Sequence, residues 1–132
     1  MRLVITALVL LIGVAMAGLA LSFMFSPLSV ASVVAVEPGN AHTLSTLRGD
    51  FAGFFGIIGI TMVWGAWKRS GDLLLVPAII MLVVIAGRLI GLATDGGFEG
   101  VGGIIAVEAL IAAILFWARS LLPHHAVQDV GD

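Results

Sequence analysis

Two ionisable residues interrupt stretches that are otherwise apolar. Arg88 is the one charge in 73–94, and Glu108 stands well inside 101–122, whose other charge, Arg119, lies near its end. In a hydrocarbon setting such a charge costs at least about 2.5–3.5 kcal/mol on the insertion scale, so it needs a partner or a task. Three chemistries fit: a structural ion pair, a site for an anionic headgroup or ion, and a proton relay. Counted from Thr94 and Val101 as helix ends, Arg88 lies six residues inward and Glu108 seven. At about 1.5 Å per residue both stand roughly 9–11 Å below one surface, level across an antiparallel hairpin. A second charged pair, Arg48 and Asp50, opens another apolar stretch. Two residues apart, they do not share a helix face, so one is expected to turn inward while the other meets the interface. Asp95, Asn40 and His42 fall near the same level. The expectation is one polar pocket built from Arg48, Asp50, Arg88, Asp95 and Glu108, with Arg88 and Glu108 at its floor.

Other chemistry is poorly supported. His124 and His125 are adjacent, so they do not present one face, and no third ligand is near; His42 stands alone, and no metal site is expected. The serines have no His–carboxylate pattern beside them. The glycine-rich segment 96–103 follows no strand and precedes no lysine, unlike a phosphate loop. The chain has no cysteine, hence no disulfide framework and no thiol nucleophile. No cofactor is implied.

These residues must be positioned by something other than a soluble core. Of 132 residues, 61% are hydrophobic and 11% charged, and the mean hydropathy is +1.21. Soluble domains average about 45–50% apolar and about 25% charged, so the composition points to an integral membrane protein. A net charge of −2 leaves no electrostatic footprint for nucleic acid. Four runs are long enough for the roughly 20-residue span a hydrocarbon core requires: about 3–25, 49–67, 73–94 and 101–122. Backbone polar groups in lipid must pair within their own segment, which makes these helices. The expected fold is all-α, an up-down four-helix membrane bundle forming a single domain over 1–132. Ala15-Met16-Ala17 resembles a cleavage site, but the apolar run continues past it, which favours an uncleaved anchor over a cleaved signal peptide. Ser26-Pro27 opens a short interfacial helix, 27–36, that stops at Glu37-Pro38-Gly39-Asn40. Asp72 reads as the N-cap of the third span, and 124–132 as a polar tail.

Packing and orientation follow from smaller signals. Gly49, Gly53, Gly56 and Gly59 form a stripe of small residues on the second span, and Gly87 and Gly91 a GxxxG pair on the third. Helices in lipid associate through such close contacts; packing within the bundle is the first reading, a homodimer seam the second. Arg2, Lys68, Arg69 and Arg119 fall on one side together with Trp64, Trp67 and Trp117, while Glu37, Asp95 and Glu99 fall on the other, with Arg48 as its one loop-proximal base. The positive-inside rule and the aromatic belt together put both termini in the cytoplasm.

Leu47-Arg48-Gly49-Asp50-Phe51-Ala52-Gly53, then Gly87-Arg88-Leu89-Ile90-Gly91, then Asp95-Gly96 and Glu108-Ala109-Leu110 occur in that order. Together they resemble a family of small bacterial four-helix membrane proteins classed as a domain of unknown function, some of whose relatives are labelled phage-infection proteins. The resemblance implies architecture and a shared Arg/Asp/Glu set, and no established chemistry. Relatives tend to carry a second glycine where this chain has Ala52. The leading expectation is therefore a non-enzymatic membrane protein whose outward-facing pocket takes a lipid headgroup, a small amphiphile or a partner subunit. The alternative is an oligomeric proton-coupled transport component using Glu108. A membrane enzyme acting on a lipid or quinone ranks third.

Overall fold

The computed structural model describes residues 1–37 and 39–123. Expectations about Pro38, the tail 124–132 and the His124–His125 pair lie outside the described residues. All regular structure among them is helical. Four helices, Arg2–Phe25, Ala41–Lys68, Leu75–Thr94 and Val101–Leu121, are long and apolar enough to cross a membrane. The chain is a multi-pass membrane protein.

Helix α1 (Arg2–Phe25) runs unbroken and closes with Ser26 N–H donating to Ser22 O at 2.8 Å. Pro27 then starts α2 (Pro27–Val30) at its first helical position, where the missing N–H has no intrahelical partner to lose. The expected helix 27–36 is not continuous. Val30 leaves helical geometry, and a 3₁₀ turn over Ala31–Val34 follows. The β-branched valines at 30, 33, 34 and 36 explain the change, since each loses side-chain freedom in an α-helix.

The second span begins earlier than its hydropathy suggests. Asn40 Oδ1 accepts from Thr43 N–H at 2.9 Å and caps α3 (Ala41–Thr46). A π turn over Leu47–Phe51 joins α3 to α4 (Ala52–Lys68) as one rod. Arg69 ends the rod in the left-handed region (φ 51°). Ser70 N–H reaches Gly65 O at 2.9 Å and Arg69 N–H reaches Ala66 O at 3.2 Å, the two bonds of a Schellman cap. Helix α5 (Leu75–Thr94) starts with Leu74 at its N-cap. Asp72 does not take that role: its carboxylate lies 3.9 Å from Arg119 Nη2. Gly96 and Gly100, both at positive φ, turn the chain into α6 (Val101–Leu121).

Helix α1 packs along α4, and α5 along α6; α1–α6 and α4–α5 contacts complete the ring. The two ends of the bundle differ. At the end holding the α4–α5 turn, Ile5, Val9, Met62, Leu74, Ala78, Leu115 and Ala118 are buried in one cluster. There Gly71 N–H also donates to Pro123 O at 2.9 Å, tying the end of α6 to the turn. Trp64, Trp67 and Trp117 are exposed around this closed end. At the opposite end, α1 and α4 stay sealed by Phe23, stacked on Phe51 and Phe55 with centroids 5.7 and 5.5 Å apart, beneath the Val30–Val36 segment. The α5–α6 hairpin has no such seal. No residue of α5 beyond Met81, and none of α6 before Ala112, is fully buried. The bundle is closed at one end and parted at the other.

The glycine stripe is narrower than expected. An added Cβ at Gly59 would meet Ala17 N at 2.5 Å, and one at Gly13 would meet Met62 Cβ at 2.8 Å. The α1 and α4 backbones therefore touch there. Gly56 makes only ordinary contact with Ala20, while Gly49, Gly53 and Gly87 have nothing within 4 Å. Gly91 faces Asp95 of its own helix, so Gly87 and Gly91 do not form a packing pair within the chain. The physical reason on α4 is phase: the π turn inserts extra backbone before Ala52 and rotates Gly49 away from the Gly56–Gly59 face. Gly65, which lies off the stripe, is in fact a contact glycine, with Leu74 Cδ2 at 2.5 Å from its added Cβ. Gly59→Ala should therefore destabilise the protein by about 1–3 kcal/mol through overpacking. Gly53→Ala should be neutral or slightly stabilising, since it only adds helix propensity. Thermal unfolding in detergent checks this contrast, and equal losses would mean that α1 and α4 do not meet at Gly59.

Candidate functional site

The site grows out of the interior stripes of the parted hairpin. On α5, Leu74, Ala78 and Met81 are buried and Ile85 packs against them; three residues further along the same face stands Arg88. On α6, Ala118, Leu115 and Ala112 are buried, and four residues before Ala112 on that face stands Glu108. Helical periodicity carries both side chains inward at the level where apolar burial stops. Arg88 Nε–H donates to both Glu108 oxygens, each at 2.8 Å. The Arg88 side chain is 36% exposed and that of Glu108 14%. Glu108 is thus the more enclosed partner, and the guanidinium sits over it, facing out.

The pairing is made through one edge of the guanidinium. Neither terminal amino group of Arg88 donates a hydrogen bond to another described residue. Arg88 lines a groove of about 400 Å³ together with Gly87, Gly91, Asp95, Gly96 and Phe98, among others. Asp95 terminates α5 one turn beyond Gly91, and its Oδ2 lies 3.6 Å from where a Gly91 Cβ would be. The carboxylate thus folds back along the helix and lies beside Gly91, at ordinary contact distance.

The five expected pocket residues are not all gathered. Arg88 and Asp95 line this groove, and Glu108 anchors Arg88 from beneath. Arg48 lines a different, shallower groove with Ala41, Leu44, Ser45 and Gly49, and Asp50 lines neither. Both are exposed on the π turn. The reason is the parting of the bundle: Arg48 and Asp50 belong to the sealed α1–α4 half, from which the tip of α5–α6 stands off. Two contributors escaped the sequence reading. Gly91 lines the groove beside the Asp95 carboxylate, a neighbourhood written in their four-residue spacing, and Phe98 forms an apolar wall from the turn. Among the described residues no group of three or more metal-ligating side chains occurs.

Residues 4–119 match the family described as Domain of unknown function (DUF4345). The chain belongs to that family. The match takes in the second and third spans, nearly all of the first and last, the π turn and the Arg88–Glu108 pair, so the site described here lies within the DUF4345 region. No curated protein and no solved structure matches the chain.

The contact predicts a specific pattern of stability. Arg88→Leu leaves Glu108 enclosed without its donor, and Glu108→Leu leaves an arginine at membrane depth. Each should cost about 1–3 kcal/mol, discounted from a fully buried pair because water reaches Arg88. The double variant should be more stable than either single one, since no charge remains to be neutralised. A double-mutant cycle by thermal unfolding in detergent measures this, and strictly additive losses would mean that the two side chains do not interact.

Proposed function

We propose that this protein is a non-enzymatic bacterial inner-membrane protein whose groove beside Arg88 holds a lipid headgroup. The observation that carries the reading is the divided use of the Arg88 guanidinium. Its Nε is spent on Glu108, while its terminal amino groups have no acceptor among the described residues and Arg88 lines the groove. A planar guanidinium fixed on one edge is oriented to offer its remaining donors to a phosphate. Phe98 and Leu92 on the groove wall are exposed and apolar, suited to the start of an acyl chain. The depth of Arg88 supports a ligand that arrives from the membrane. Proton transport through Glu108 fits less well. Beneath the pair the described interior consists of Met81, Ala112, Leu115, Ile58 and Met62, which supply no exchangeable proton. The groove also offers little to acid–base chemistry, with one paired arginine and one carboxylate.

The orientation that goes with this reading places both termini in the cytoplasm. Arg2, Lys68, Arg69 and Arg119 sit at the closed end with the three tryptophans, which supports it. Cysteines introduced at Asn40 and Gly97 should react with an impermeant thiol reagent in intact cells, and one at exposed Lys68 only after permeabilisation. The reverse pattern would overturn the orientation.

The headgroup reading is tested on the Arg88→Leu/Glu108→Leu double variant, which removes the site without leaving a lone charge. Bacterial phospholipid added to purified protein in nonionic detergent should raise the unfolding temperature of the wild type, and diacylglycerol, which lacks the phosphate, should not. The double variant should lose that response. Equal responses to both additives, or full retention in the double variant, would remove the reading.

A further inference from the structure

The charges around the groove are unbalanced in a way that selects among headgroups. Between residues 82 and 110 the ionisable residues are Arg88, Asp95, Glu99 and Glu108, one base and three acids. Arg88 and Glu108 neutralise one another at 2.8 Å. Asp95 is left as a further negative charge on the groove itself, exposed and turned back over Gly91. A headgroup that is only anionic would find hydrogen-bond donors on Arg88 but would meet repulsion from Asp95, and from Glu108 behind the guanidinium. A headgroup that is only cationic would leave the amino groups of Arg88 without an acceptor. An occupant that carries both charges satisfies the two walls together.

The spacing of the walls fits such an occupant. Gly91 lies three residues, about one helical turn, from Arg88, and the Asp95 carboxylate hangs over Gly91. Arg88 and Asp95 line the same groove, so a phosphate and an ammonium joined by a short bridge would each meet an opposite charge on its walls. A carboxylate also distinguishes among cations. It accepts hydrogen bonds from a primary ammonium, whereas a trimethylated ammonium has no hydrogen to donate.

Resting on the headgroup reading above, we infer that the groove recognises a phosphoethanolamine group, with its phosphate on the terminal amino groups of Arg88 and its primary ammonium on Asp95. Asp95 is then the specificity residue. The anchoring pair would serve any phosphate, while the discrimination lies in a single exposed carboxylate.

The experiment is a thermal-shift titration of the purified full chain in nonionic detergent. Phosphatidylethanolamine, phosphatidylglycerol and phosphatidylcholine of matched acyl chains are compared. Wild type should respond to phosphatidylethanolamine at about three- to fivefold lower concentration than to the other two, the size expected of one exposed ion pair. Asp95→Asn should bring the three midpoints together while keeping the response to phosphate. Glu99→Gln, which changes the same net charge on the same turn but lies off the groove, should keep the preference. The inference is overturned if wild type does not discriminate, if Asp95→Asn still does, or if Glu99→Gln loses the preference equally. In each of these cases a lipid response that vanishes in the Arg88→Leu/Glu108→Leu variant leaves the headgroup reading standing. Absence of any lipid response removes both. Water-soluble glycerophosphoethanolamine, titrated in parallel, distinguishes the source. A response at lipid-like concentration assigns a free solute, and a response to the lipid alone assigns the bilayer; each supports recognition of the headgroup.

Discussion

Beyond Met81 on α5 and before Ala112 on α6, no fully buried side chain holds the two helices in register, and the contact that fixes them there is Arg88 on Glu108. Helices in lipid have no hydrophobic drive to associate, so a charge-assisted bond at membrane depth carries weight that it would lack in water. It sets how the tip of the hairpin is aligned, and with that the position of Asp95, Gly96 and Phe98. It also decides which part of the guanidinium remains available. Had Glu108 met Arg88 end-on through one N–H of each amino group, the remaining donors would be split between the two edges of the guanidinium. Structure and site thus share one bond, and the side-on geometry lets it serve both.

Much of this was legible in the chain because membrane helices announce themselves by length and hydropathy. The pairing of Arg88 with Glu108 could be estimated from counting alone, since depth in an antiparallel hairpin is set by distance from the shared turn. What could not be counted was occupancy. Periodicity identifies a face, but not whether a neighbour lies on it, so Gly53 and Gly59 read alike although only Gly59 touches a backbone. Gly49 was misplaced for a different reason: the π turn breaks the 3.6-residue phase on which such counting depends. The start of the second span was recoverable, because Asn40 and Thr43 form a capping signal ahead of the apolar run. The convergence of Arg48 and Asp50 with Arg88 was inferred from depth, and equal depth does not bring two helices together across a bundle that parts at that end.

The two halves of the bundle are built by different means. Helices α1 and α4 meet by backbone approach at Gly13 and Gly59 and are capped by stacked phenylalanines. Helices α5 and α6 share a buried apolar seam only over their closed-end halves and rely on the ion pair beyond it. This division explains why the groove lies on the hairpin: a side chain such as Arg88 can be both oriented and reachable only where the interior is not filled.

The hydrogen bond from Gly71 to Pro123 has a mechanical meaning. It pins the last turn of α6 to the loop between α4 and α5, at the end where the apolar interior is densest. Two rigid arms fastened at one end form tongs, and the free length sets their leverage. From Met81 to Thr94 the arm is roughly 20 Å long at about 1.5 Å per residue. A rotation of about 10° at the fastened end would carry the tip through roughly 3–4 Å, on the scale of an atom's width, with every backbone bond of the arm intact. The jaws of the tongs are the lip of α5–α6 and the sealed shoulder of α1–α4, at the far end of the lever.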